Sequence, residues 1–306
     1  MDLLKTTTSL PNQKKTKRNS DIIKEKKDNI MGFITEINSL EEIDAFKVEK
    51  TPVFFKDNVR VPDTFSLRRV DDGRHLGIVG NNYRPIQMEE MIDVLDKASA
   101  RVGDIEHVGY TTSRGGRKVL IQSKLAENIN IEGDVIEPYF YTVIDNTGMG
   151  SNKTCPSTVR IACDNAFHLV KGEGSALNSR HASNFDERVN LTIDSIVGSI
   201  ESARSFSETV VTLKSEKFSR KQMVALTEAL LPVKEDESTK RAHKRDKLVE
   251  LYESGLGNSG ETKWDALNAL TEYETHTGKQ SSSKLIRNLV TGSNQLSQRG
   301  LKLLAA

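Results

Sequence analysis

Asn268, Glu272 and His276 stand four residues apart, so a helix would show an amide, a carboxylate and an imidazole on one face. Two chemistries suit that trio. Glu272 and His276 could work as an acid–base pair, or as two metal ligands with a third, such as His181 or Asp164, supplied from elsewhere in the chain. A structural hydrogen-bond network running to Arg180 and His181, or to the central loop, suits them better than either. Arg160, Asp164 and His168 repeat the four-residue spacing and would share a polar face if the residues after Pro156 are helical. A third group is cationic. Arg114, Arg117 and Lys118 fall at a Ser-Arg-Gly-Gly-Arg turn, and Lys153 lies in a Gly-Ser-Asn-Lys-Thr loop, where basic groups can meet phosphates. Exposed turns carry such charges for solubility alone, and that alternative stays open.

The elements that must place these groups centre on residues 138–170. Tyr139 to Ile144 is an unbroken aromatic and β-branched run, the composition of a buried strand. Asp145 and Asn146 end it, and Gly148 and Gly150 allow positive φ or a close backbone approach. Pro156 and Ser157 are residues that open helices, and Val159, Ala162, Cys163, Ala166, Phe167 and Val170 recur at helical spacing, so a helix is expected over 156–170. A strand, a loop and a helix start could hold an anion. The Walker pattern is absent, because Lys153 follows Asn152 and precedes Cys155-Pro156, and a dinucleotide fingerprint lacks its third glycine. Either this is a solvated loop, or it touches phosphate.

With 306 residues, 28% of them charged and 36% apolar, the chain can bury a substantial core and reads as a soluble protein. No apolar run reaches membrane-spanning length and no signal-peptide pattern opens the chain, so a location in the cytoplasm where it is made and no membrane partner are expected. Cys155 and Cys163 form neither a disulfide framework nor a ligand pair, in keeping with a reducing compartment. The net charge of +1 conceals basic ends: +4 over residues 1–20 and +5 over residues 275–306, on a body of −8. That pattern fits a polyanion held by the tails, or tails that only aid solubility.

In chain order, residues 1–30 read as a disordered basic tail and Met31 to Phe46 as largely helical. Short strands then lead to an Asp71-Asp72-Gly73 hairpin turn. Met88, Met91, Ile92, Leu95 and Ala98 mark an amphipathic helix whose methionines fill a core. Strands are expected over Ile105–Thr112 and Lys118–Leu125. Ser219 with Gln222, and Thr262 ahead of Trp264, announce helix starts. The expected architecture is α+β, with a central antiparallel β-sheet flanked by helices. Its domains are a core over 31–215 and an all-helical C-terminal third over 216–306, with a charged linker near 233–247.

Several segments together resemble a known family: Phe46 to Val53, Leu76 to Gly80 with Tyr83-Arg84-Pro85-Ile86-Gln87, Arg160 to Asn165, Arg180-His181, and Trp264 to His276. They are similar, over roughly residues 40–280, to the phage/plasmid-like proteins, a domain of unknown function carried on phages, prophages and plasmids. The resemblance implies an origin on a mobile element and brings no catalytic residues. The expected order from Met88 to Val170 is also similar to the core of phage single-strand annealing proteins. On that analogy Tyr110, Tyr139 and Tyr141 are possible stacking platforms and the protein could oligomerise. The expected function is therefore binding of nucleic acid, single-stranded DNA first, in replication or recombination. Contacts would come from Arg114, Arg117, Lys118, Lys153, Arg160 and Arg180, with no cofactor. Asp164, His168, His181, Asn268, Glu272 and His276 form a possible polar site. The alternatives are a metal-assisted hydrolase or nuclease, and an interaction protein that blocks a host defence system.

Overall fold

Residues 105–145 alternate or run apolar over lengths that suit strands, with glycine and aspartate at the breaks, and they build the main sheet. The computed structural model describes residues 34–102, 105–125, 128–131, 134–160, 165–168, 193–194, 197–198, 205–232, 238–256, 258–277, 281–291 and 296–306. Among these, strands β1 (Thr35–Glu36), β5 (Ile105–Ser113), β6 (Lys118–Leu125), β8 (Asp134–Asp145), β9 (Lys153–Arg160) and β10 (Asn165–His168) lie side by side in that order. Short β7 (Ile129–Ile131) pairs with the start of β8, and all of these pairings are antiparallel. Strands β2 (Val48–Phe54), β3 (Arg60–Arg69) and β4 (His75–Gly80) form a second antiparallel sheet. The turn before β4 carries Gly73 at φ 68°, as the Asp-Asp-Gly sequence requires.

Helix α1 (Met88–Val102) lies on one face of the main sheet. Its expected stripe of Met88, Met91, Leu95 and Ala98 is buried with Val119, Ile121, Phe140 and Ile144. The intervening residues Leu120, Tyr141, Val143 and Cys155 belong to the opposite face, where Ile286 covers them. Burial on both sides is why β6 and β8 read as continuous apolar runs rather than alternating ones.

The C-terminal third is helical: α2 (residues 205–215), α3 (Arg220–Leu230), α4 (Ser238–Ser254), α5 (Lys263–His276), α6 (Ser282–Thr291) and α7 (Leu296–Leu304). Helices α2 to α5 and α7 share a second core, which Ile131 and Ile136 of the sheet enter. Both expected caps form as reciprocal capping boxes, Ser219 with Gln222 and Thr262 with Asp265. Burial alone would push the Asp265 carboxyl up. Bonds from the Glu261 amide at 3.1 Å, the Ser259 hydroxyl at 2.8 Å and the Thr262 hydroxyl at 2.9 Å bring it below the usual range instead. Trp264 Nε1 donates to Asp134 at 3.1 Å and Lys214 pairs with the same carboxylate at 3.1 Å, which ties this core to β8. The α+β architecture and the helical C-terminal third are as expected.

Two local expectations are corrected. The helix over 156–170 does not form; β9 and β10 occupy residues 153–160 and 165–168. Thr154, Thr158 and Val159 are β-branched, and Pro156 suits its place because, among the described residues, the β10 pairing ends at Ser157 and none pairs with the proline on that side. The helix over Met31–Phe46 is also absent from the described residues. Thr35–Glu36 is a strand, and Leu40–Glu42 forms a single 3-10 turn.

Candidate functional site

The turn between β5 and β6 is built from residues that can bend tightly. Arg114, Gly115 and Gly116 all have positive φ, at 49°, 70° and 93°. A Cβ on Gly115 would fall 2.0 Å from Arg74 Nη1, and one on Gly116 would fall 2.6 Å from the Phe46 ring. The tip is therefore pressed against the small sheet and its neighbours.

Beside it sits the turn from β8 to β9, which Asp145 organises. The Asp145 carboxylate accepts from the Thr147 amide at 2.9 Å and from the Thr147 hydroxyl, and it pairs with Lys118 at 2.9 Å. Its own amide donates to Asn152 Oδ1 at 2.9 Å. Asn146 joins the two turns, donating from its amide to the Arg117 carbonyl and from Nδ2 to the Gly116 carbonyl, both at 2.9 Å. Gly148 has φ 75°, and Gly150 packs so closely that a Cβ would lie 2.2 Å from an Asp145 oxygen. Both permissions expected of these glycines are used, and the loop is a built turn.

Helix α6 closes the third side. Leu285 and Ile286 pack on the sheet, and Ser281, just ahead of the helix, accepts from the Lys284 amide at 3.2 Å. These three elements enclose a half-open cleft of about 700 Å³. Among the described residues, Arg114, Arg117, Lys118, Lys284 and Arg287 line it, against one carboxylate, Asp145. Burial pushes the Lys284 amine down, the Glu274 carboxylate opposes that, and the neighbouring Arg287 adds to it. Cations crowded beside low-dielectric walls focus a positive field, and an anion would relieve their mutual repulsion.

Of the residues singled out by sequence, Arg114, Arg117 and Lys118 come together here. Lys153 opens β9 opposite Val143, half-buried and outside the cleft wall. Arg160 lies at the other end of β9, about 23 Å along the strand, and does not join them. His168 is in β10 opposite Ser157. Asp164, Arg180 and His181 lie outside the described residues. Lys284 and Arg287 were legible only as charges in a basic C-terminal segment.

The Asn268, Glu272 and His276 face turns inward. Asn268 and Glu272 are buried, Glu272 accepts from the Leu256 amide at 3.2 Å, and His276 is half-buried at the helix end. Among the described residues no group of three His, Cys, Asp or Glu side chains is placed to hold a metal ion. The tyrosines belong to the interior as well: Tyr141 is buried, and Tyr110 and Tyr139 pack partly buried against cores.

Among the described residues, no helix is long and apolar enough to cross a membrane. Neither the curated proteins nor the solved structures contain a match to the chain. One family model does match, over residues 75–299, a span that includes the cleft and most of both cores. The chain belongs to the family described as a domain of unknown function, DUF932.

Proposed function

We propose that the cleft docks the phosphates of a nucleic acid, with single-stranded DNA as the form bound, and that the protein serves replication or recombination on a mobile element. One observation carries the reading: five cationic side chains from two chain segments more than 150 residues apart converge on one cleft, which among the described residues holds a single carboxylate. Phosphate contacts of this kind supply most sequence-independent affinity for nucleic acid. The similarity of residues 46–53 and 83–87 to phage- and plasmid-borne proteins supports the mobile-element part.

The test is fluorescence anisotropy with a labelled single-stranded oligonucleotide between about 50 and about 200 mM salt. Each engaged cation contributes about −0.7 to the slope of log affinity against log salt. The Arg114→Ala/Arg117→Ala variant is expected to bind more weakly, with a slope shallower by about 1.4. Undetectable or salt-insensitive binding by the unmodified protein would overturn the reading. Sizing by light scattering with and without the oligonucleotide shows whether copies assemble on the strand.

A further inference from the structure

The β2–β3 hairpin holds its apolar side chains out into solvent. Phe54, Phe55 and Val59 are 55%, 57% and 55% exposed, on a turn whose geometry is fixed. The Phe55 amide donates to the Val59 carbonyl at 2.8 Å, the Asn58 amide donates to the Phe55 carbonyl at 3.0 Å, and Asn58 takes φ 63°. Adjacent strand residues point to opposite faces, so Phe54 and Phe55 cannot both pack on one core. Lys56 is exposed at the tip, and Arg60 stands opposite Phe54.

We infer that this tip is a stacking site for the bases of a single-stranded nucleic acid, an inference that rests on the cleft being the phosphate site. Exposed aromatic rings flanked by cations are what unpaired bases and their phosphates require, and a duplex keeps its base faces covered. Placement agrees with this. A Cβ on Gly77 of β4 would fall 2.0 Å from the Thr147 carbonyl at the cleft turn, and Gly77 pairs with Leu67. From Leu67 to Arg60 the strand runs about 23 Å, a reach within the span of a short bound strand. Other occupants fit less well. Three half-exposed side chains offer on the order of 300 Å², well short of the roughly 800 Å² per partner of a stable dimer. Insertion into a bilayer would bury the exposed Asp57 carboxylate at the apex.

Full-length Phe54→Ala/Phe55→Ala protein separates these cases. Affinity for a single-stranded oligonucleotide should fall at least about fivefold per ring, with an unchanged salt slope and an unchanged thermal midpoint. Weak binding to a duplex of the same sequence should not change. Phe55→Trp should retain binding, and single strands should quench its emission. Single-strand affinity equal to that of the unmodified protein would overturn the inference while leaving the cleft reading intact, provided Arg114→Ala/Arg117→Ala still weakens binding. Equal losses on duplex and single strand would overturn it too, as would a change in self-association without DNA or in binding to anionic vesicles. If the unmodified protein binds no oligonucleotide, both readings fall together.

Discussion

Arg114 and Arg117 owe their position to the two glycines between them, which let the turn press on Arg74 and Phe46 while the arginines line the cleft. A residue elsewhere shows the same dependence of charge on packing. His107 lies between α1 and the sheet, with Nδ1 2.9 Å from the Ser123 hydroxyl and Nε2 3.4 Å from that of Ser99. Burial holds its pKa below the ordinary value against the pull of Asp96. The unfolded chain then binds more protons than the folded one below a pH of about 6.5, so stability is lost as pH falls through that value toward the lower folded pKa. Urea unfolding at stepped pH should show this loss in the unmodified protein, with a shallower dependence in His107→Gln. Identical pH slopes in the two proteins would assign the acid sensitivity to other groups.

At the scale of elements, helix α6 unites the apolar and the charged halves of the site. Leu285 and Ile286 fix it to the sheet face made by Leu120, Tyr141, Val143 and Cys155, and this anchoring sets Lys284 and Arg287 at the cleft. Replacing Ile286 by Ala should cost about 2–5 kcal/mol of local packing, and Ile286→Asp should release the helix. The Cys155 thiol reports that event. It is buried and pushed up to about 11 by burial, so it should resist alkylation in the unmodified protein. In a Cys163→Ser background, Ile286→Asp should accelerate alkylation at Cys155 and weaken oligonucleotide binding together. Unchanged alkylation would mean that α6 does not hold the face closed. The same scale explains β9. Its apolar spacing satisfies a helix as well as a strand, and pairing with β8, a contact with no trace in local sequence, decides between them.

Among the described residues, a polar pin joins the helical core to the main sheet. Trp264 Nε1 and Lys214 both meet Asp134, and Ile131 and Ile136 of the sheet reach into the helical core. Such coupling should make unfolding a single transition, with Trp264 fluorescence and far-ultraviolet circular dichroism coincident in denaturant. Separate midpoints would show that the helical third unfolds by itself. Much of this organisation was legible in the chain. The stripe from Met88 to Ala98, the Asp-Asp-Gly turn, the strands over 105–145 and both capping boxes rest on spacing and backbone preference, which act over a few residues. The candidate site was half legible: Arg114, Arg117 and Lys118 share one turn, whereas Lys284 and Arg287 lie more than 150 positions further on. Their approach depends on Ile286 finding the sheet, and the inward turn of Asn268 and Glu272 depends on what packs against α5. Local sequence determined which elements exist and which charges they carry. The partner each face found, and so which charges became a site, was decided by long-range burial, because the free energy of packing belongs to surfaces brought together from distant parts of the chain.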